Sequence, residues 1–222
     1  MEREPITLDH VRRNDEVRIY IEKANEQMNA IGYTEHGFRH AGIVADIARN
    51  IPASLGLKPR LAELAAIAGY LHDIGNAVNR NSHCETGGIM ALSILTKMGM
   101  PTDEIATIIA AIGNHEEELG APVSAVAAAV ILADKSDVHY SRVQNPNPMA
   151  FDIHDRVNHG VQHSCLRVDT QAKTINLELE TDSQAAGVME YFEIFLTRMV
   201  MCRRAADFFG CRFRLIINGT DM

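Results

Sequence analysis

Tryptophan is absent, aromatic residues make up 5% of the chain, and basic side chains are in deficit. A core this poor in aromatics and rich in Ala, Ile, Leu, Val and Met suits close-packed helices better than a many-stranded sandwich. With 21 Lys plus Arg against 29 Asp plus Glu, the formal net charge is −8. That balance argues against a broad phosphate-tracking surface, so neither nucleic acid nor a membrane is expected as a partner. Any anionic substrate then needs a local cation.

Long apolar runs are also missing. The longest clean one, Ala125 to Ala133, falls far short of the ~20 residues that cross a bilayer. The start, Met1-Glu2-Arg3-Glu4-Pro5, is charged and has no apolar h-region, so no signal peptide is expected. Four cysteines, Cys84, Cys165, Cys202 and Cys211, form no CxxC pair, which fits reduced thiols in a cytosol. A cytoplasmic protein is the resulting expectation.

What remains is ordinary globular usage, 46% hydrophobic and 23% charged in 222 residues, with one unusual figure: ten histidines. Apolar positions at helical spacing predict helices over 8–31, 35–50, 59–72, 83–98, 103–117 and 122–140. Thr7 or Asp9 offers the first cap, Pro59 suits a first turn, and Gly32, Pro52, Gly99 and Pro101 mark stops. Asn145-Pro146-Asn147-Pro148 is turn chemistry ahead of a short helix at about 153–163. A hairpin of 166–169 and 173–180, a long helix over 184–209 and a strand over 211–217 complete the chain. The fold class is mainly α: a helical array over residues 1–163, then a small ββαβ (α+β) unit over 164–222. The stripe of Val188, Tyr191, Phe192, Phe195, Met199, Cys202, Ala206 and Phe209 on the long helix is read as core, part of which can serve as a homodimer seam.

The chemistry concentrates in His72-Asp73, at the C-terminal end of a helix apolar almost all round. A carboxylate there is disfavoured by the helix dipole, so a compensating cation is implied. His36 and His40 sit four apart on the preceding predicted helix; His83 opens the next one, His115 ends another, and Asp134 interrupts an apolar run. A carboxylate in such a run is costly to bury unpaired, and either a metal ion or a basic side chain removes that cost. A second His-Asp pair, His154-Asp155, is read as ordinary and solvated. His139, His159 and His163 also follow the last of these groups, and the pair His159/His163, four apart with no supporting carboxylate nearby, is read as surface or interface.

The ordered set His40, His72-Asp73, His83, His115 and Asp134-Lys135 resembles the HD-domain metal-dependent phosphohydrolases over about residues 30–145. The resemblance implies an all-α domain with a mono- or binuclear site that hydrolyses phosphate esters or anhydrides, often of nucleotides. It places His40, His72, Asp73 and Asp134 on one metal ion, and His83 and His115 on a second bridged by Asp73. The chain departs from the branch that hydrolyses cyclic dinucleotides: it has Asn114-His115-Glu116 in place of a His-His-Glu run, Gly120-Ala121-Pro122 in place of Gly-Tyr-Pro, and Asn76 in place of a lysine.

The expected function is therefore metal-dependent phosphohydrolysis of a small phosphorylated substrate, a nucleotide first among candidates, by a metal-activated hydroxide. Mixed imidazole and carboxylate ligands suit Mn, Fe, Zn, Ni or Co better than Mg. Asp73, Lys135 and His36 form the expected catalytic set. Lys135 either reaches a substrate phosphate or pairs with Asp134; His36 lines the pocket, supports a ligand or lies on the surface. Arg39, Arg80, Arg142 and Glu116 are candidate rim groups. The alternatives are a non-catalytic nucleotide- or metal-binding regulatory module and a metal-dependent oxygenase on the same scaffold.

Overall fold

The periodicity of the first 140 residues yields seven helices: α1 (Leu8–Arg12), α2 (Asp15–Ala30), α3 (Phe38–Ser54), α4 (Pro59–Leu71), α5 (His83–Lys97), α6 (Thr102–Gly113) and α7 (Ala125–Ser136). The computed structural model describes residues 4–117, 119–147, 151, 153–182 and 188–222. The expected start of the long helix at 184 and Pro148 of the turn lie outside the described residues, as do the side chains of His154, Val188 and Tyr191.

The single helix expected over 8–31 is two. Asn14 breaks it by adopting an extended backbone and accepting the Val17 N–H through its side chain at 3.1 Å. The break lets Leu8 and Val11 enter the core from a different direction than Val17 and Ile21, all four being buried. In α3 the helix runs two residues past Pro52, because a proline in the last turn removes little of the hydrogen-bond ladder and its ring is buried. Gly99, at φ +82°, ends α5 in the left-handed region as its position suggests.

Helices α4 and α7 are the inner layer. Ala62, Leu64 to Leu71 and Val126 to Ala133 are buried with little exception, which is why neither shows a one-sided stripe. Helix α3 packs on both, α6 also touches both, and α5 lies against α6. A 3-10 turn, Ile74–Ala77, carries the chain off α4 and under the start of α5. Gly75 makes this possible, since a Cβ there would overlap the carbonyl oxygen of His83.

The tail begins with α8 (Ile153–Gly160), which passes straight into β1 (Val161–Asp169), followed by β2 (Thr174–Thr181), α9 (Val188–Phe208), β3 (Arg212–Ile217) and a short β4 (Thr220–Asp221) that the sequence pattern did not suggest. Strand order is β1-β2-β3-β4; β1/β2 and β3/β4 are antiparallel, while β2/β3 is parallel across α9. One face of the sheet, with Ile175, Leu177, Leu179, Leu215 and Ile217, is buried under α9. The stripe on α9 is mostly core: Phe195, Met199, Cys202 and Ala206 are buried, and complete burial of Phe195 contributes ~2–3 kcal/mol. Helix α9 also packs on α7, so the tail shares one continuous apolar core with the helical array. No helix among the described residues is long and apolar enough to cross a membrane.

Candidate metal centre

Five helix ends converge beside the inner layer. Helix α3 brings His40 in its first turn, the end of α4 brings His72 and Asp73, α5 begins at His83, His115 follows α6, and the last turn of α7 brings Asp134. His40, His72, His83 and His115 are each at most 2% exposed, and Asp73 is 8% exposed. His36 is not on the helix with His40, contrary to the spacing. Glu35 accepts the N–H of Gly37 at 2.7 Å and starts α3 only at Phe38, leaving His36 in the preceding loop.

The four imidazoles share one orientation. The Nδ1 of His72 lies 2.8 Å from the Gly69 carbonyl oxygen, that of His83 lies 3.0 Å from Arg80 O, and that of His115 lies 2.6 Å from Ile112 O. His40 Nδ1 lies 2.7 Å from the Asp137 carboxylate. Each of these acceptors fixes the proton on Nδ1 and turns the Nε2 lone pair inward. The Nε2 atoms then meet in two couples, His40 with His72 at 3.2 Å and His83 with His115 at 3.1 Å.

Asp73 stands between the couples. Its Oδ2 lies 3.1 Å from His72 Nε2 and 3.5 Å from His40 Nε2, while its Oδ1 lies 3.5 Å from His83 Nε2 and 3.8 Å from His115 Nε2. Asp134 Oδ1 completes the first cluster at 3.3 Å from His40 and 3.5 Å from His72. Donors ~2.0–2.2 Å from a common ion are separated by ~3.0–3.5 Å, so these spacings fit a metal at each couple. His72 and Asp73, divergent neighbours on a regular helix, converge because the chain leaves α4 between them for the 3-10 turn. Asn76, fully buried, donates to Asp73 Oδ1 at 3.0 Å, and its own Oδ1 has no partner in the structure.

The charges respond to this crowding. Burial disfavours the His72 imidazolium, but Asp73 and Asp134 outweigh it and raise that ring to about 10, so a proton takes a cation's place between the two carboxylates. Burial tends to raise Asp73 and Asp134, yet His72 beside Asp73 and Lys135 beside Asp134 hold both well below the carboxylate range. At the second couple, burial depresses His83 to about 3 and lowers His115, leaving neutral rings ready to coordinate. Arg80, which can only donate, lies 3.2 Å from His83 Nε2, a position that requires a lone pair there.

Of the remaining expected residues, Lys135 is 4% exposed and pairs with Asp134 at 2.7 Å and Glu117 at 3.1 Å, so its ammonium is engaged within the cluster. His36 Nε2 lies 3.9 Å from Asp73 Oδ2, at the edge of the centre. Arg80 and Glu116 line a cavity of about 440 Å³ with Tyr33, His83 and Leu119, whereas two of the expected rim groups do other work. Arg39 makes a two-pronged contact with Asp137 at 3.0 Å per prong, and buried Arg142 donates to the carbonyls of Glu35 and Asp137. Asp155 is buried, not solvated. His139 caps the turn at Tyr140–Arg142, and His163 is exposed on β1.

Sequence reasoning passed over Asp137, Glu117 and Cys84. Asp137 lies three residues after Asp134, the helical spacing of one face, and that was the signal available for it. Glu117 forms ion pairs with Lys135 and, at 2.8 Å, with Arg198 of α9, tying the tail to the centre. Burial raises Glu116, with its hydrogen bond to Glu117, to about 7; Glu117 is lowered, because Lys135 overrides the burial that would raise it.

Residues 35–139 match the family described as HD domain. An uncharacterized protein of Methanocaldococcus jannaschii is 24% identical over 209 residues, 84% of this chain and 80% of its own length. Ribonuclease Y of Lawsonia intracellularis is 36% identical over 105 residues, 47% of this chain but 18% of that protein. Residues 35–139 are thus similar to an HD domain, and the buried His/Asp groups are consistent with a metal site of the kind that domain carries.

Proposed function

We propose that this chain hydrolyses a phosphate ester or anhydride of a small nucleotide at a binuclear centre. The observation that carries the reading is the position of Asp73 between two imidazole couples whose Nε2 atoms all point inward. His40, His72, Asp73 and Asp134 would hold one ion; His83 and His115, with the other oxygen of Asp73, would hold the second. Divalent ions bound there supply an activated water and charge to offset that building on phosphoryl oxygens. Imidazole with carboxylate favours Mn, Fe, Zn, Ni or Co.

The protein's own groups do the rest. Asp73 would be the anion shared by the two cations. Arg80, in contact with Glu116 at 3.3 Å and 5.6 Å from the Tyr33 ring centre, would be the guanidinium that grips a substrate phosphate once a bound cation takes the His83 Nε2 lone pair. Tyr33, half-exposed in the same cavity, offers a face for a nucleobase. His36, 3.9 Å from Asp73, would hand a proton to or from a leaving group. Lys135 serves by neutralising Asp134 and Glu117.

The likeness of Ribonuclease Y over 105 residues supports including short ribonucleotide phosphodiesters among the substrates. The −8 charge weighs against long nucleic acid. A homodimer and a cytoplasmic location belong to the same proposal. The reading is tested with nucleotides and phosphodiesters under added Mn²⁺, Co²⁺, Ni²⁺, Zn²⁺ or Mg²⁺. Turnover by the wild type that vanishes in Asp73→Ala supports it; ligand binding with no turnover under any ion favours a regulatory module instead.

A further inference from the structure

We propose that the second metal position contains a sulfur donor: Cys84 Sγ joins His83 Nε2, His115 Nε2 and the Glu116 carboxylate, making this position selective for a thiophilic divalent cation such as Zn²⁺. The proposal rests on reading the centre as a metal site, and it adds two ligands that the sequence pattern leaves out.

Four side chains, His83, Cys84, His115 and Glu116, each place one donor atom within 4.8 Å of all the others. Cys84 Sγ lies 3.5 Å from His83 Nε2 and 3.8 Å from His115 Nε2. The two nitrogens are 3.1 Å apart, and Glu116 Oε2 is 3.2 Å from His83 Nε2. For an ion ~2.0 Å from nitrogen and ~2.3 Å from sulfur, with Asp73 Oδ1 kept among the donors, angles of ~100–110° between neighbouring donors set N···N near ~3.1–3.3 Å and N···S near ~3.3–3.5 Å. The N···N distance of 3.1 Å and one N···S distance of 3.5 Å match, and the other N···S distance is 3.8 Å. The first position has no counterpart, being faced by His40, His72, Asp73 and Asp134.

The local fold explains how Cys84 reaches this point. Ser82 takes a left-handed φ of 59° immediately before α5, which turns the first two residues of the helix, His83 and Cys84, toward the centre. A buried cysteine by itself is an ordinary small apolar residue. Here the thiol lines the cavity with Glu116 and His83 and is 5% exposed, and the cation facing these donors is Arg80, 3.2 Å from His83 Nε2 and 3.3 Å from Glu116 Oε2, which a metal ion would displace. Coordination converts the thiol to a thiolate and releases its proton to solvent, with no change of oxidation state. The two positions then differ in kind: an N,O site for ions such as Mn²⁺ or Fe²⁺, and an N,S,O site for Zn²⁺.

The test uses the full chain loaded with Co²⁺ and read by near-ultraviolet absorption, where a thiolate on cobalt gives a charge-transfer band. The band is expected with two ions bound, lost in Cys84→Ser, and kept in Cys202→Ser, whose thiol is buried in α9. Zn²⁺ competition should place the second dissociation constant of Cys84→Ser ~10–100-fold above wild type. Two bound cobalt ions and intact hydrolysis with no band, or a band unchanged in Cys84→Ser, overturn the sulfur ligand and leave the proposed function standing. No cobalt bound at all overturns both.

Discussion

Asp137 accepts the Nδ1–H of His40 at 2.7 Å, and this carboxylate is the reason that ring can present only its Nε2 to the centre. Arg39 holds Asp137 from one side with two contacts of 3.0 Å, and Arg142 donates to the Asp137 carbonyl from another at 3.0 Å. The carboxylate is thereby kept ionised, its His40 and Arg142 partners overriding the burial that would raise it. Asp137→Asn should weaken metal binding at the first position by ~10–100-fold while the helices persist. Calorimetric titration alongside circular dichroism measures both; unchanged affinity would remove Asp137 from the account.

Lys135 is the cation of the metal-free cluster, clamped between Asp134 and Glu117. Lys135→Met leaves two buried carboxylates short of a partner, an expected loss of ~3–5 kcal/mol in the metal-free chain. Saturating Zn²⁺ or Mn²⁺ should restore part of it, since an ion on Asp134 supplies replacement charge. Urea unfolding with and without metal measures the difference. Equal losses in both states would mean that Lys135 works for stability alone.

The metal-free chain should be most stable close to pH 6.5. His72 is raised from an unfolded value of ~6.5 to about 10, so its contribution is full below ~6.5 and is lost as pH rises toward 10. His83 is lowered to about 3, so its contribution is full above ~6.5 and is lost as pH falls toward 3. The two slopes have opposite signs and meet at their shared unfolded value. Metal binding at pH 8 should expel the His72 proton, visible as buffer-dependent heat. A stability curve for the apo chain that keeps rising from pH 7 to 9 contradicts this.

Arg198 links the tail to the centre through Glu117 at 2.8 Å and stacks on Phe195 at 4.8 Å. A double-mutant cycle with Arg198→Ala and Glu117→Gln should give a coupling energy of ~1 kcal/mol or more in unfolding, because Glu117 is largely buried. Additive effects would show that α9 is held by its apolar face alone.

The six residues of the candidate centre were legible because each is a polar residue where the apolar pattern calls for none: His72-Asp73 and Asp134 close fully buried helices, and His40, His83 and His115 stand at helix boundaries. The mainly α array and the tail's order of elements followed from periodicity for the same reason. The break at Asn14 was not legible, since its apolar positions continue the period on both sides. Nor were the roles of Asp137, Glu117 and Cys84. Each acts through a neighbour brought from another element; the three-residue spacing of Asp137 from Asp134 was a signal for that one, while nothing in Glu117 or Cys84 marks it apart from a solvated acid or a packed thiol. Arg39 and Arg142 were misplaced on the rim because a guanidinium's partner is fixed by the tertiary fold.

The central claim is that Asp73 is shared by two ions, and metal analysis of the full chain purified without chelator, set beside the same analysis of Asp73→Ala, tests it most directly. The account predicts two transition-metal ions per wild-type chain and loss of both, with phosphohydrolase activity, in the variant. One ion or none in an active wild type, or two ions retained by Asp73→Ala, would contradict it.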